Sequence, residues 1–191
     1  MAKIEYIIIS GALIIVSGLT LNVGLIIGSL FLKSNDLFYI TLFTLTFLVS
    51  FILLPTIIVK LITKKSFIHI FNKIVNIKRL IILMPVTFLV SLLLTDLSTT
   101  LQYLVVAMGE EYLFRHLIFL LLKEKFSKIY TYIIGSILFA CILHINDNLL
   151  SNLLIRFPSS IIFYYLADRY RLQDSIALHW FYNVIVTKLV S

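Results

Sequence analysis

Gly109-Glu110-Glu111-Tyr112-Leu113-Phe114-Arg115 interrupts an apolar run, Leu101 to Leu122, that is long enough to cross a bilayer. An ionisable residue at the centre of a spanning helix costs roughly 2.5–3.5 kcal/mol on insertion scales, and such residues usually face a polar cavity and work there. At about 100° per helical residue, Glu111 and Arg115 share a face one turn apart, while Glu110 points elsewhere. Glu111 can pair with the arginine, which leaves Glu110 for chemistry. A structural ion pair joining helices accounts for Glu111 and Arg115 as well as function does. It does not account for Glu110.

The surrounding composition is that of a membrane protein. Of 191 residues, 61% are hydrophobic, and the mean hydropathy is +1.07; soluble domains are about 45–50% apolar. The pattern predicts an all-α polytopic transmembrane bundle of about seven spanning helices plus one interfacial amphipathic helix, in a single membrane domain over 1–191. Helices 1–3 fill 1–98, and a core of helices 4–7 fills 99–190. The spans are Ile4–Leu32, Leu37–Ile62, Arg79–Leu94, Leu101–Leu122, Ile129–His144, Leu149–Ala167 and Asp174–Val190. Lys33-Ser34-Asn35-Asp36 and Asn146-Asp147-Asn148 read as turns. The first apolar run is too long for a signal-peptide core and is read as a retained helix. Between Ser66 and Lys78, Phe67, Ile70, Phe71, Ile74 and Val75 recur at helical spacing opposite His69, Lys73 and Asn76, the pattern of a helix lying in the interface.

Charge sets the orientation. With the N-terminus in the cytoplasm, the cytoplasmic segments hold Lys3; Lys60, Lys64, Lys65, Lys73, Lys78 and Arg79; Lys123, Lys125 and Lys128; and Arg169 and Arg171. The outer segments hold Lys33 and Lys188, which puts the C-terminus outside a cell membrane. The net charge of +7 is therefore topogenic and does not point to nucleic acid. The single cysteine, Cys141, excludes an internal disulfide and a cysteine-based zinc cluster. It reads as a small core residue.

Two further sites hold polar residues inside the apolar runs. His144 ends one span. His179 and Asn183, four residues apart in the last span, share a face, and a pair of donors there suits an oxyanion formed during attack on a carbonyl. Interhelical hydrogen bonding would explain each alone. Two acids, an arginine, two histidines and an asparagine on three helices are hard to explain as helix contacts only.

Glu110 to Arg115 reads EExxxR, and His179 to Asn183 reads HxxxN. In this order, with His144 on the helix between, the chain resembles the CPBP (Abi) family of intramembrane glutamic endopeptidases, which includes the CAAX-processing Ras-converting endoprotease. The resemblance covers about Leu101 to Val190. The family's middle motif is FxxxH, whereas Ala140 stands four residues before His144 and the phenylalanine is Phe139.

The resemblance implies that Glu110 activates water with His144 sharing the task, that Glu111 and Arg115 hold the site in place, and that His179 and Asn183 bind the oxyanion. It implies no cofactor and no metal. The substrate would be a peptide or membrane-associated protein, such as a peptide precursor or a lipidated protein, cut near the cytoplasmic face. Two other functions fit the residues: a non-catalytic bacteriocin-immunity or regulatory protein of this fold, and a metal-dependent hydrolase with Glu110, His144 and His179 as ligands. One distance stands against the site. At 1.5 Å per residue, His144 lies roughly 20 Å and His179 about 10 Å from the cytoplasmic end of parallel helices. They meet only if the first helix is tilted or begins in the cytoplasm.

Overall fold

A computed structural model describes residues 2–30, 36–72, 74–146 and 148–190. Seven long helices and one short one form a bundle, and no strand occurs among the described residues. We number the helices α1 Lys3–Leu30, α2 over 36–63, α3 Phe67–Phe71, α4 Ile77–Leu94, α5 over 97–122, α6 Lys128–Leu143, α7 Leu149–Tyr170 and α8 Leu172–Val190. Residues 31–35, Lys73 and Asp147 lie outside the described residues, and with them the end of the first span, most of the first turn and the middle of the second.

Four helices are long and apolar enough to cross a membrane by themselves: α1, Leu37–Thr63 of α2, α4 and α7. α6 is shorter, and α5 carries the acidic motif. α1 and α4 present large apolar side chains outward, Leu93 at 85% exposure among them. A surface of that kind is stable where the surrounding solvent is lipid.

Two of the three proline-containing helices, α2 and α7, pass through a π-turn just before the proline, whereas α4 carries Pro85 within a regular α-helix. In α2 the turn Val49–Leu53 precedes Pro55; in α7 Asn152–Arg156 precedes Pro158. Proline donates no backbone hydrogen bond and its ring crowds the preceding turn. Widening that turn lets the helix continue. Two more π-turns, Tyr112–Ile118 in α5 and Phe139–Leu143 in α6, have no proline. Both lie beside the polar residues described below.

The expected amphipathic helix over 66–78 is cut to Phe67–Phe71. Ser66 caps its start by accepting from the His69 amide at 3.3 Å. The rest of the stretch is taken by other contacts. Leu172 N donates to the Ile74 carbonyl at 3.1 Å, and the Asn76 amide donates to Gln173 Oε1 at 2.9 Å. Asn76 Oδ1 caps α4 by accepting from the Lys78 amide at 3.1 Å. Ile70 points into the core, fully buried.

Asp96 caps α5, accepting from the Thr99 hydroxyl at 2.6 Å and the Thr99 amide at 3.0 Å. Those bonds, the hydroxyl's first, hold its carboxyl below the usual carboxylate range. α8 runs through the centre against α4, α5 and α7. Trp180 anchors it: the indole N–H donates to the Thr100 carbonyl at 3.1 Å, and its ring packs on Phe88. α2 lies against α5, and Gly109 is what lets it approach. A Cβ there would overlap the Phe47 ring, which stacks on Phe51 at 4.3 Å between centroids. This contact is thus one residue from Glu110.

Candidate active site

The polar residues of α5 and α8 meet in the middle of the bundle. Glu111 is fully buried, Arg115 is 4% exposed, His179 4% and Glu110 8%. Arg115 Nε lies 3.2 Å from Glu111 Oε2, an ion pair one helical turn apart. The Arg115 guanidinium also donates to Ser160 Oγ on α7 at 3.0 Å and lies over the ring of Phe139, 4.4 Å from its centroid. Glu111 has two partners on α8. Ser175 Oγ donates to Oε2, and His179 Nδ1 lies 2.7 Å from Oε1. Every Glu111 oxygen is therefore engaged, as a fully buried carboxylate requires.

With Nδ1 tied to Glu111, the other nitrogen of His179 points away. Its Nε2 lies 3.7 Å from Glu110 Oε2. Phe163 stacks on the imidazole at 5.1 Å and 16° between planes, which fixes the ring's rotation. Glu110 has no bond to Arg115. The two adjacent acids thus have opposite settings: Glu111 faces the packed interior, and Glu110 faces a cavity.

That cavity measures about 260 Å³ and brings together Glu110, His144, His179 and Asn183. It also takes in Tyr103, Arg156, Phe139, Phe163 and Thr187. Phe139 packs against both histidines, its ring 5.0 Å from that of His144 and 6.1 Å from that of His179. The one-residue shift of the phenylalanine is absorbed by the helix that carries it. Phe139 stands five residues before His144, and the helix between them is a π-turn. A π-turn repeats at i→i+5, so ring and imidazole share a face as an i, i+4 pair would in an α-helix.

The lining runs from Glu110 and His179, near the middle of the bundle, through Tyr103, His144, Ser159, Asn183 and Thr187 toward the end opposite Lys65, Lys123 and Arg171.

The scaffolding partners of the site were not singled out from the sequence. Ser175 had a usable signal, since it precedes His179 by four residues as His179 precedes Asn183. Arg156 had one as an arginine inside an apolar run. It donates to Asn152 Oδ1 at 2.5 Å, and Asn152 Nδ2 donates to the His144 carbonyl at 2.7 Å. This bridge ties the end of α6 to α7. Ser160 had no signal, for a serine in a membrane helix is commonplace. His116 serves structure, its Nε2 lying 2.7 Å from the Ile70 carbonyl. Among the described residues no three of His, Cys, Asp and Glu are grouped to hold a metal ion.

The model of the type II CAAX prenyl endopeptidase Rce1-like family matches residues 94–185. Over these residues the chain is similar to the Rce1-like family. The match takes in Glu110, Glu111, Arg115, His144, His179 and Asn183, and it agrees with the resemblance to the CPBP group. Rce1-like proteins are proteases, so the family supports a peptidase embedded in a membrane. The segment matched is just under half of the chain and begins at the end of α4. No curated protein and no solved structure matches the chain.

Proposed function

We propose that the protein is an intramembrane endopeptidase in which Glu110 activates a water molecule. The observation that carries this reading is the asymmetry of the two acids: Glu111 is engaged on both oxygens, while Glu110 opens on a cavity opposite His179 Nε2, at 3.7 Å. A water in that cavity within hydrogen-bond reach of Glu110 gives up a proton to the carboxylate. Its oxygen attacks the peptide carbonyl, and the C–N bond breaks as Glu110 returns the proton to the leaving amine. His144, on the cavity wall, shares the water.

Asn183 and His179 take the oxyanion. Glu111 engages Nδ1 and so holds the ring with Nε2 turned to the cavity. Glu111 is then a positioning residue, as the buried acid is in other His-acid pairs.

The substrate is a peptide or membrane-associated protein, and a peptide precursor and a lipidated protein both have a chain that could enter from the bilayer. The cavity side bears on the face of cleavage. With the charge-based orientation, the cavity's end of the bundle is the outer one, so we replace the expectation of a cut near the cytoplasmic face with one from the opposite side.

The test is the cellular phenotype of Glu110→Gln at matched membrane abundance, with and without chelator. The amide keeps size and polarity but cannot take the proton, and activity falls by about 10²–10⁴. Full function in that variant sinks the peptidase reading and favours an immunity or regulatory role. Loss of wild-type function in chelator, restored by zinc, moves the assignment to a metal-dependent hydrolase.

A further inference from the structure

A second and larger cavity, about 480 Å³, opens at the other end of the bundle, where the lysine-rich segments are. Its walls come from the α2–α4 connection, the last turns of α5 and α7 and the start of α8, and its lining includes Arg115. It lies on the opposite side of the Glu111–Arg115 pair from the cavity described above; Arg115 lines this one, and its partner Glu111 holds His179, which lines the other.

Three observations give this cavity a chemistry. The first is charge. Of its cations, Lys65 is paired with Glu124, and its aspartate, Asp168, is paired with Lys128. Lys123 and Arg171 remain as its exposed cations outside those pairs. The second is Arg115 itself, which lines this cavity at 4% exposure while its Nη1 is buried and has no hydrogen-bond partner. A buried guanidinium donor left unmatched is costly.

The third is the backbone of Arg171, at φ 85° and ψ 176°. That region is essentially reserved for glycine, and a side chain is held there only when its surroundings impose it. Here the Arg171 amide bonds the Ala167 carbonyl at 3.0 Å and the next amide bonds Ile74 at 3.1 Å. Glycine would fit this turn without strain, yet an arginine occupies it and faces the cavity.

We propose that this cavity binds a phosphate group through Lys123, Arg171 and Arg115, and that the source is the headgroup of an anionic phospholipid in the adjoining leaflet. Basic pockets between helices on the lysine-rich side of a membrane protein are suited to such headgroups. The Arg115 guanidinium is also paired with Glu111, which holds His179. Occupancy of the cavity therefore reaches the other site through this arginine. The coupling rests on the peptidase reading, but the binding does not.

The experiment uses the full chain in vesicles of phosphatidylcholine alone and with about a fifth phosphatidylglycerol. Trp180 is the only tryptophan, is buried, and reports thermal unfolding without any substrate. Phosphatidylglycerol raises Tm by about 2–4 °C, and the rise is lost in Arg171→Gly and in Lys123→Gln. Arg171→Gly also unfolds at a higher temperature than wild type in phosphatidylcholine alone, because the strain is gone; a purely structural arginine would give the reverse. A rise produced in phosphatidylcholine by millimolar inorganic phosphate, and lost in the same variants, supports the site with free phosphate as its source. No rise with either probe, or a rise that persists in both variants, overturns the proposal. Glu110→Gln protein shows the same shifts as wild type, so failure here is distinguishable from failure of the peptidase reading.

Discussion

Glu110 and Glu111 are neighbours of the same type, and their surroundings divide them. Glu111 pairs with Arg115, accepts from Ser175 and holds His179; Glu110 faces the cavity. The contrast predicts opposite phenotypes. Glu110→Gln is made and inserted at wild-type levels but inactive. Glu111→Gln leaves Arg115 buried without its counter-charge, which costs about 3–5 kcal/mol, so its membrane abundance falls. Quantitative immunoblotting of membranes beside the activity assay separates the two. Equal abundance of both variants would mean that the Glu111–Arg115 pair carries no stability. At this scale the sequence was largely legible, because spacing by four residues places Glu111 with Arg115 and His179 with Asn183 on shared faces. What it hid were contacts between helices, such as Arg115 to Ser160, which depend on which helices pack together.

Among the elements, the π-turn Phe139–Leu143 alters how the sequence is read. A pattern written for an α-helix places a phenylalanine four residues before the histidine; here one extra residue stands between them, and the π-turn absorbs it. Removing that residue tests the account. Deleting Ala140 gives Phe-Cys-Ile-Leu-His, which an ordinary α-turn spans with ring and imidazole still on one face. We expect this deletion to keep membrane abundance within about twofold and to retain activity. Deleting Ile133, in the regular part of α6, turns everything after it by about 100° and abolishes both. Loss of activity in the Ala140 deletion at full abundance would show that the π-turn does more than restore register. Helix positions were legible from hydropathy, but π-turns leave little trace in composition: a proline follows two of the four, and Pro85 has no π-turn before it. The stretch 66–78 misled for a related reason. Apolar periodicity cannot register that Asn76 caps the next helix or that Leu172 and Gln173 claim its backbone.

For the whole molecule, the two cavities open at opposite ends of the bundle, so orientation decides which compartment supplies each ligand. From the lysine and arginine count we propose that Lys65, Lys123, Lys125 and Arg171 are cytoplasmic. The cavity of Glu110 and His179 then faces outward, and the cavity of Lys123 and Arg171 faces the cytoplasmic leaflet, where anionic headgroups attract basic segments. Cys141 is the only cysteine, so replacing it by serine gives a background in which single thiols can be placed. Ser159→Cys lies on the wall of the first cavity, and Lys125→Cys lies just beyond the end of α5. Maleimides react with the thiolate, which forms only where water reaches. A membrane-impermeant maleimide applied to intact cells is expected to label Ser159→Cys and to spare Lys125→Cys until the membrane is opened. The reverse pattern would place the Glu110 cavity in the cytoplasm and return cleavage to that face. It would also move the Lys123 cavity to the outer leaflet, away from the lipids proposed to fill it. Because α5 and α8 line both cavities, one labelling result fixes the side of both.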